Sequence, residues 1–171
     1  MMLEHQSMVF SIALRVVTDR GVAEEVAQDV FLELHAQLPE LESPEHVLFW
    51  LRRVTTHRSI DALRRRKSRP ETPMDWNELP EIPDTSAAED DEGLSSRLQQ
   101  LVASLPAIPR SVVVLRYQEE MSPEQIAAAL QMPVATVKSH LQRSLRLLRE
   151  KAARSAPRQK PWVGPLERQA Q

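Results

Sequence analysis

Apolar residues recur every three to four positions along most of this 171-residue chain, which is the period of an amphipathic α-helix. Met8, Ile12, Ala13 and Val16 form one such stripe, and Asp19-Arg20-Gly21 interrupts it. Ala23, Val26, Ala27, Val30 and Leu34 resume it over residues 22–38, and Pro39 ends it. Ser43-Pro44-Glu45 reads as a helix start: a Ser cap, Pro at the first helical position, then a carboxylate at the positive end of the dipole. The helix it opens runs from Pro44 to about Lys67 and closes on Arg64, Arg65, Arg66 and Lys67, cations suited to a C-terminus. Its apolar residues fall on two sides, Val47, Leu51 and Val54 on one, Phe49, Ile60 and Leu63 on the other, so neighbours are expected to grip it from both.

The second half repeats the period. Leu98, Leu101, Val102 and Leu105 make an i, i+3, i+4, i+7 stripe, and Pro106 and Pro109 bracket a short connection. Residues 110–118, RSVVVLRYQ, are β-branched enough to suggest a strand. Helices flank them and no partner strand is in sight, so the prediction is helix. Ser122-Pro123-Glu124-Gln125 is a capping box with Pro in the first turn. From near Val134 a longer helix sets Val134, Val137, Leu141, Leu145 and Leu148 on one face. The expected fold is all-α, in two small helical domains.

Composition narrows the function. Gly is only 3 residues and aromatics 4%, which disfavours β architecture. There is no Cys, which removes disulfides, thiolate metal sites and thiol catalysis. The start MMLEHQSMVF lacks a signal peptide's basic n-region. No apolar run approaches the ~18 residues of a membrane span, so a cytoplasmic protein without membrane insertion is expected. The 5 His are scattered without metal-ligand spacing, and no phosphate loop is present. No enzymatic activity, cofactor or metal is predicted.

The net charge of −2 conceals segregation. Residues 70–96 carry nine acids and no Lys or Arg, which leaves 15 acidic against 22 basic residues elsewhere. With Pro70, Pro73, Pro80 and Pro83, that stretch reads as a flexible linker. The predicted organisation is one domain at 1–68, a linker at 69–95, a second domain at 96–154 and a disordered Pro/Gln/Arg-rich tail at 155–171. Trp76 in the linker is either locally packed or a docking anchor.

Three surfaces carry candidate chemistry. The capped short helix, the QMP turn and the basic helix after it, residues 122–150, have the form of a helix-turn-helix, whose second helix enters the DNA major groove. Thr136, Ser139, His140 and Arg143 lie opposite the apolar face and can bond base edges or phosphates, with Lys138 and Arg146 flanking. Upstream, Trp50, Arg53, His57, Arg58, Asp61 and Arg64 combine an aromatic with cations, the requirement for unpaired bases. A core Trp beside a snorkelling basic helix end would look the same. On the 22–38 helix, Glu25, Gln28, Asp29 and Leu32 share one face, and a Leu inside a polar face suggests a protein partner.

The sequence AEEVAQDVFLEL, then FWLRRVTTHRSIDALRRR, then an acidic linker, then LPAIPRSVVVLRYQEEMSPEQIAAALQMPVATVKSHLQRSLRLLRE resembles the σ70-family RNA polymerase sigma factors, specifically the extracytoplasmic-function (ECF) group. The resemblance covers roughly residues 5–67 and 95–150. It implies that Glu25, Gln28, Asp29 and Leu32 bind the clamp coiled coil of the polymerase largest subunit. It implies that the segment from Trp50 to Arg66, Arg65 included, opens and holds the −10 promoter element, and that Thr136, Lys138, Ser139, His140 and Arg143 read the −35 element. The second domain would also pack on the polymerase flap, the linker would thread a basic channel, and an anti-sigma factor would hold the protein inactive. The chain departs from the family at His57, where Asn is common, at Ala62, where a bulky or basic residue is common, and at His140, where Arg is common. Two rivals remain at this point: a dimeric helix-turn-helix regulator of operator DNA, which leaves residues 22–67 unexplained, and a helical adaptor that binds no DNA.

Overall fold

The computed structural model describes residues 2–67 and 91–155. The expectations placed on Trp76, on a flexible linker and on a disordered tail lie outside them. Among the described residues the regular structure is helical: α1 Met2–Val17, α2 Arg20–Gln37, a 3-10 turn Leu38–Glu40, α3 Pro44–Arg66, α4 Asp91–Ala103, α5 Ala107–Tyr117, α6 Pro123–Leu130 and α7 Val134–Ser155.

Local chemistry sets the boundaries, in three places differently from the pattern. The break after α1 falls at Thr18, with φ of 60°, and Asp19, whose carboxylate accepts from the Val22 N–H at 3.0 Å. Arg20 and Gly21, predicted as part of the break, are the first residues of α2; the Asp cap supplies the acceptor that a helix start needs. Pro109, predicted as a bracket, lies inside the first turn of α5, where a missing N–H costs no intrahelical bond. Helix α4 begins at Asp91, so residues 91–95 of the expected linker are helical, consistent with acidic residues near a helix N-terminus. Leu98 was expected in the α4 core stripe but is exposed, whereas Leu101 and Leu105 are buried. The other starts match. Ser43 caps α3 through the His46 N–H, and Ser122 and Gln125 form the reciprocal capping box of α6 at 3.1 and 2.8 Å.

Two apolar clusters organise the helices. The first joins α1, α2 and α3 through Val9, Ala13, Ala23, Val26, Val30 and Leu51. The second surrounds α5, α6 and α7 through Val112, Leu115, Met121, Ile126, Leu130 and Val137, and it also takes in Val16 from α1 and Ile60 from α3. Helix α3 is therefore gripped from both sides, as its two apolar stripes predict. Val47 and Val54 pack into the first cluster and Phe49 into the second. Val16 is 0% and Ile60 6% exposed, so the two halves share a dry contact.

Three polar contacts cross the same boundary. Arg52 Nε donates to Glu119 Oε2 at 2.9 Å, and the two side chains are only 22% and 6% exposed. His57 Nε2 donates to the Ala129 carbonyl at 2.8 Å. Arg110 donates to the Val16 carbonyl at the end of α1, and also to Ala103 and Leu105 carbonyls at the end of α4. Burial pushes the Arg110 pKa below its usual value; helix C-terminal carbonyls oppose this by placing partial negative charge around the guanidinium.

Candidate nucleic-acid interface

Helix α3 presents its cations along a cleft. Trp50, Arg53, Val54, His57, Arg58 and Asp61 line it together with Glu33 and Gln37 from α2 and Gln131 from the turn after α6. Arg58, Asp61, Arg64 and Arg65 line a shallow depression beside it. All seven residues predicted for unpaired DNA thus lie in two adjoining hollows that share Arg58 and Asp61. Trp50 is half-buried against the first core cluster, so its ring serves packing and leaves one part at the cleft. Arg58 is committed within its own half: it pairs with Glu33 and, at 3.6 Å, with Asp29. Arg64 lies 3.7 Å from Asp61.

The turn of the helix-turn-helix explains the His57 contact. Helix α6 ends at Gln131 in the left-handed region, φ 54°, and the Met132 N–H returns to Ala127. The carbonyl of Ala129 would bond the N–H of residue 133 in a continuing helix, but that residue is Pro133. The orphaned carbonyl takes the His57 imidazole instead, which fixes the Nε2–H tautomer.

On α7, Lys138, Ser139, Arg143 and Arg146 are exposed, and Thr136 and His140 are half-buried. The predicted polar face is therefore one surface, with one amendment. His140 turns toward the core edge, where burial first and the nearby Arg143 charge second hold its imidazole below the ordinary His pKa. The buried face is also drawn differently: it runs through Val137 and Ser144, both 0% exposed, while Leu145 is half-buried. Ser144 Oγ is buried without a hydrogen-bond partner. Arg146 lies 3.9 Å from Glu150.

On α2, Glu25, Gln28, Asp29 and Leu32 are all exposed, with Leu32 at 67%. They form one polar face around one apolar residue, as the pattern predicts. Pattern reading missed Arg52, Glu119 and Arg110. A signal existed for the first: Arg52 falls at helical spacing between Phe49 and Ile60, a cation inside an apolar stripe, which requires a buried partner.

Comparison with known proteins decides the family. The sigma-70 region 2 family matches residues 1–69, and the sigma-70 region 4 family matches residues 95–148. The RNA polymerase sigma-E factor of Streptomyces coelicolor is 36% identical over 138 residues, covering 81% of this chain and 76% of that protein. The chain belongs to the ECF group of RNA polymerase sigma factors. An ECF sigma factor of Mycolicibacterium smegmatis, SigE, is 32% identical over 88% of this chain, which spans 60% of that protein's length. The Bacillus subtilis factor SigW is 26% identical over 85% of this chain and 83% of its own. The fold of this sigma factor is shared with RpoE of Bartonella quintana, crystallised with the anti-sigma factor NepR, at a TM-score of 0.66 and 18% identity over 88% of this chain and 93% of that one. A regulator built on the helix-turn-helix alone would not account for the region 2 match, which covers α1 to α3. No helix among the described residues is long and apolar enough to cross a membrane.

Proposed function

We propose that this sigma factor carries core RNA polymerase to a two-part promoter and opens the −10 region, acting as a specificity subunit and not as an enzyme. Region 2, assigned to residues 1–68, docks on the largest-subunit clamp coiled coil through Glu25, Gln28, Asp29 and Leu32. Its α3 cleft holds the −10 strand, with Trp50 as stacking surface and Arg53, His57, Arg58, Asp61, Arg64 and Arg65 as phosphate and base contacts. Region 4, assigned to residues 96–154, reads the −35 duplex with Thr136, Lys138, Ser139, His140, Arg143 and Arg146 and packs on the polymerase flap. Residues 69–95 are the connecting segment, and an anti-sigma factor is the expected regulator, in the cytoplasm.

The observation that carries this reading is the coexistence of three unlike surfaces on one small chain: an exposed Leu in an acidic face, an aromatic–cation cleft, and a polar recognition helix behind a capped turn. The departures at His57, Ala62 and His140 mean that base preferences do not transfer from relatives.

The test is transcription from fragmented host DNA by core polymerase, with and without the protein. New start sites that share a −35/−10 pair at fixed spacing are expected. No new start sites, with folded protein and active core, would overturn the reading. Asp29→Lys is expected to weaken polymerase binding with helicity unchanged, and unchanged affinity would remove the α2 face from the docking surface.

A further inference from the structure

Helices α2 and α3 run antiparallel, and their polar contacts fix the register between them. Asp19, the cap of α2, pairs with Arg66 at the end of α3 at 3.0 Å. Further along α2, Asp29 lies 3.6 Å from Arg58, and Glu33 accepts from Arg58 Nε at 2.9 Å. Asp29, Glu33 and Gln37 follow at i, i+4 and i+8 and share one face. One turn beyond Glu33, Gln37 therefore comes level with Val54, one turn before Arg58. Val54 offers no charge, so the ladder of pairs stops there. Gln37 is half-buried and lines the cleft beside Trp50, Arg53 and Val54. The cleft encloses about 550 Å³, the size class of a small-molecule pocket.

Most of the half-buried polar lining already has protein partners: Glu33 with Arg58, and His57 with the Ala129 carbonyl. Gln37 and Arg53 form no side-chain hydrogen bond or ion pair among the described residues. Their corner, with Trp50, is built by α2 and α3 alone. Those helices pack through Val26, Val30, Leu34 and Leu51 of the first cluster, so the corner does not depend on region 4.

We propose that Gln37 is a specificity-determining residue that reads one unpaired adenine of the −10 strand, stacked against Trp50. The inference rests on the −10 assignment of the cleft above and names one base within it. The carboxamide sets an acceptor, Oε1, beside a donor, Nε2. Adenine sets its N6 amino donor beside an acceptor on both edges, N7 on one and N1 on the other, so the amide fits in either orientation. The N7/O6 edge of guanine offers two acceptors and suits a guanidinium instead. Cytosine and thymine offer one matching edge and a smaller face for the indole. A base that leaves the half-buried amide without a partner forfeits its desolvation. Arg53 beside it neutralises a phosphate and carries no base information.

The test is binding of holoenzyme, core polymerase with the full chain, to a forked probe of the mapped promoter. Its −10 strand is unpaired, and each position carries A, C, G or T in turn. The parent is expected to prefer A at one position by about tenfold, the discrimination of a good bidentate contact. Gln37→Ala should cut that preference below about twofold and leave the base profile at all other positions unchanged. Gln37→Glu, which only accepts, should move the preference at that position toward C, whose N4 donates. A purely structural role for Gln37 would move neither profile. A profile unchanged by Gln37→Ala, an equal loss on every sequence, or a Gln37-dependent preference for another base would overturn the proposal. Arg53→Ala separates that failure from failure of the cleft assignment. It should weaken binding to all strands alike and lower the salt slope by about one. If it does so while Gln37→Ala leaves the profile unchanged, the adenine contact alone is wrong. If neither substitution changes strand binding, the cleft does not hold the −10 strand, and the inference falls with it.

Discussion

Helices α3 and α7 both carry polar side chains suited to DNA, yet they are held in opposite ways. Helix α3 lies between two apolar clusters, and its candidate DNA residues are half-buried from Trp50 to Arg58. Helix α7 buries one face through Val137 and Ser144 and leaves Lys138, Ser139, Arg143 and Arg146 in solvent. A helix that reads duplex needs one free face and rigid backing. A helix that captures an unpaired strand needs a cleft, and a cleft needs a second wall. Here that wall comes from α2 and from the Gln131 turn. Stability and the proposed DNA binding are therefore entangled on α3 and separable on α7.

The sharpest way to expose that entanglement is Ile60→Ala. Ile60 is 6% exposed at the junction of α3 with the region 4 cluster, and removing a buried Ile side chain to Cβ costs about 2–5 kcal/mol. Urea unfolding should show that loss and split into two transitions, because the deleted atoms couple the two halves. Leu32→Ala, at 67% exposure, should change stability by less than about 0.5 kcal/mol. Equal effects would dissolve the contrast between gripped and open faces.

Next in size is the Arg52–Glu119 pair. Removing one partner of a buried pair strands the other charge and costs about 3–5 kcal/mol. Arg52 keeps 22% of its side-chain exposure and can turn partly to water, so Glu119→Ala is expected to cost about 1–3 kcal/mol. The exposed Arg20–Glu24 pair, at 79% and 58%, gives the reference: Glu24→Ala should cost no more than about 0.5 kcal/mol and lose even that at high salt. Chemical denaturation at two ionic strengths checks both.

On α7 the effect should fall on binding instead. Arg143→Ala is expected to leave stability within about 0.5 kcal/mol and to lose about 1–3 kcal/mol at one −35 base pair if its contact is bidentate. Competition binding against single-base variants of the mapped element separates the cases. An equal loss on every sequence would make Arg143 a phosphate contact.

The contrast is half legible in the sequence. The helical period placed α1 to α4 and α7, the helices flanking it decided α5 against its β-branched composition, and the capping residues Ser43 and Ser122 placed the starts of α3 and α6, because caps are local chemistry. The double apolar stripe of α3 foretold a helix gripped on both sides. What gripped it was not legible, since Ile60 and Val16 meet Val112 and Leu115 only through the tertiary fold. For the same reason Glu119 could not be matched to Arg52, 67 residues away. Leu98 and Pro109 went astray for a local reason: a three-residue spacing cannot tell a stripe's buried edge from its exposed one, and a proline inside a first turn looks the same in sequence as one outside it.

The smallest expected effect tests whether α7 is as free of its scaffold as it looks. Burial, and then the Arg143 charge, hold the His140 imidazole below its ordinary pKa of 6.5. The folded protein therefore resists a proton that the unfolded chain accepts. Above pH 6.5 both states are neutral at this position and no penalty exists. As the pH falls below 6.5 the unfolded chain binds the proton first, and stability drops until the folded imidazole also titrates. His140→Gln should remove that part of the slope, and Arg143→Ala should remove only the lesser, repulsive part and leave the part due to burial. Melting curves between pH 8 and 5, with the His140 titration followed by NMR, measure both. Superimposable profiles for the parent and His140→Gln would mean that the imidazole sits in solvent, and that α7 carries no titrating link between its proposed DNA-reading face and its core.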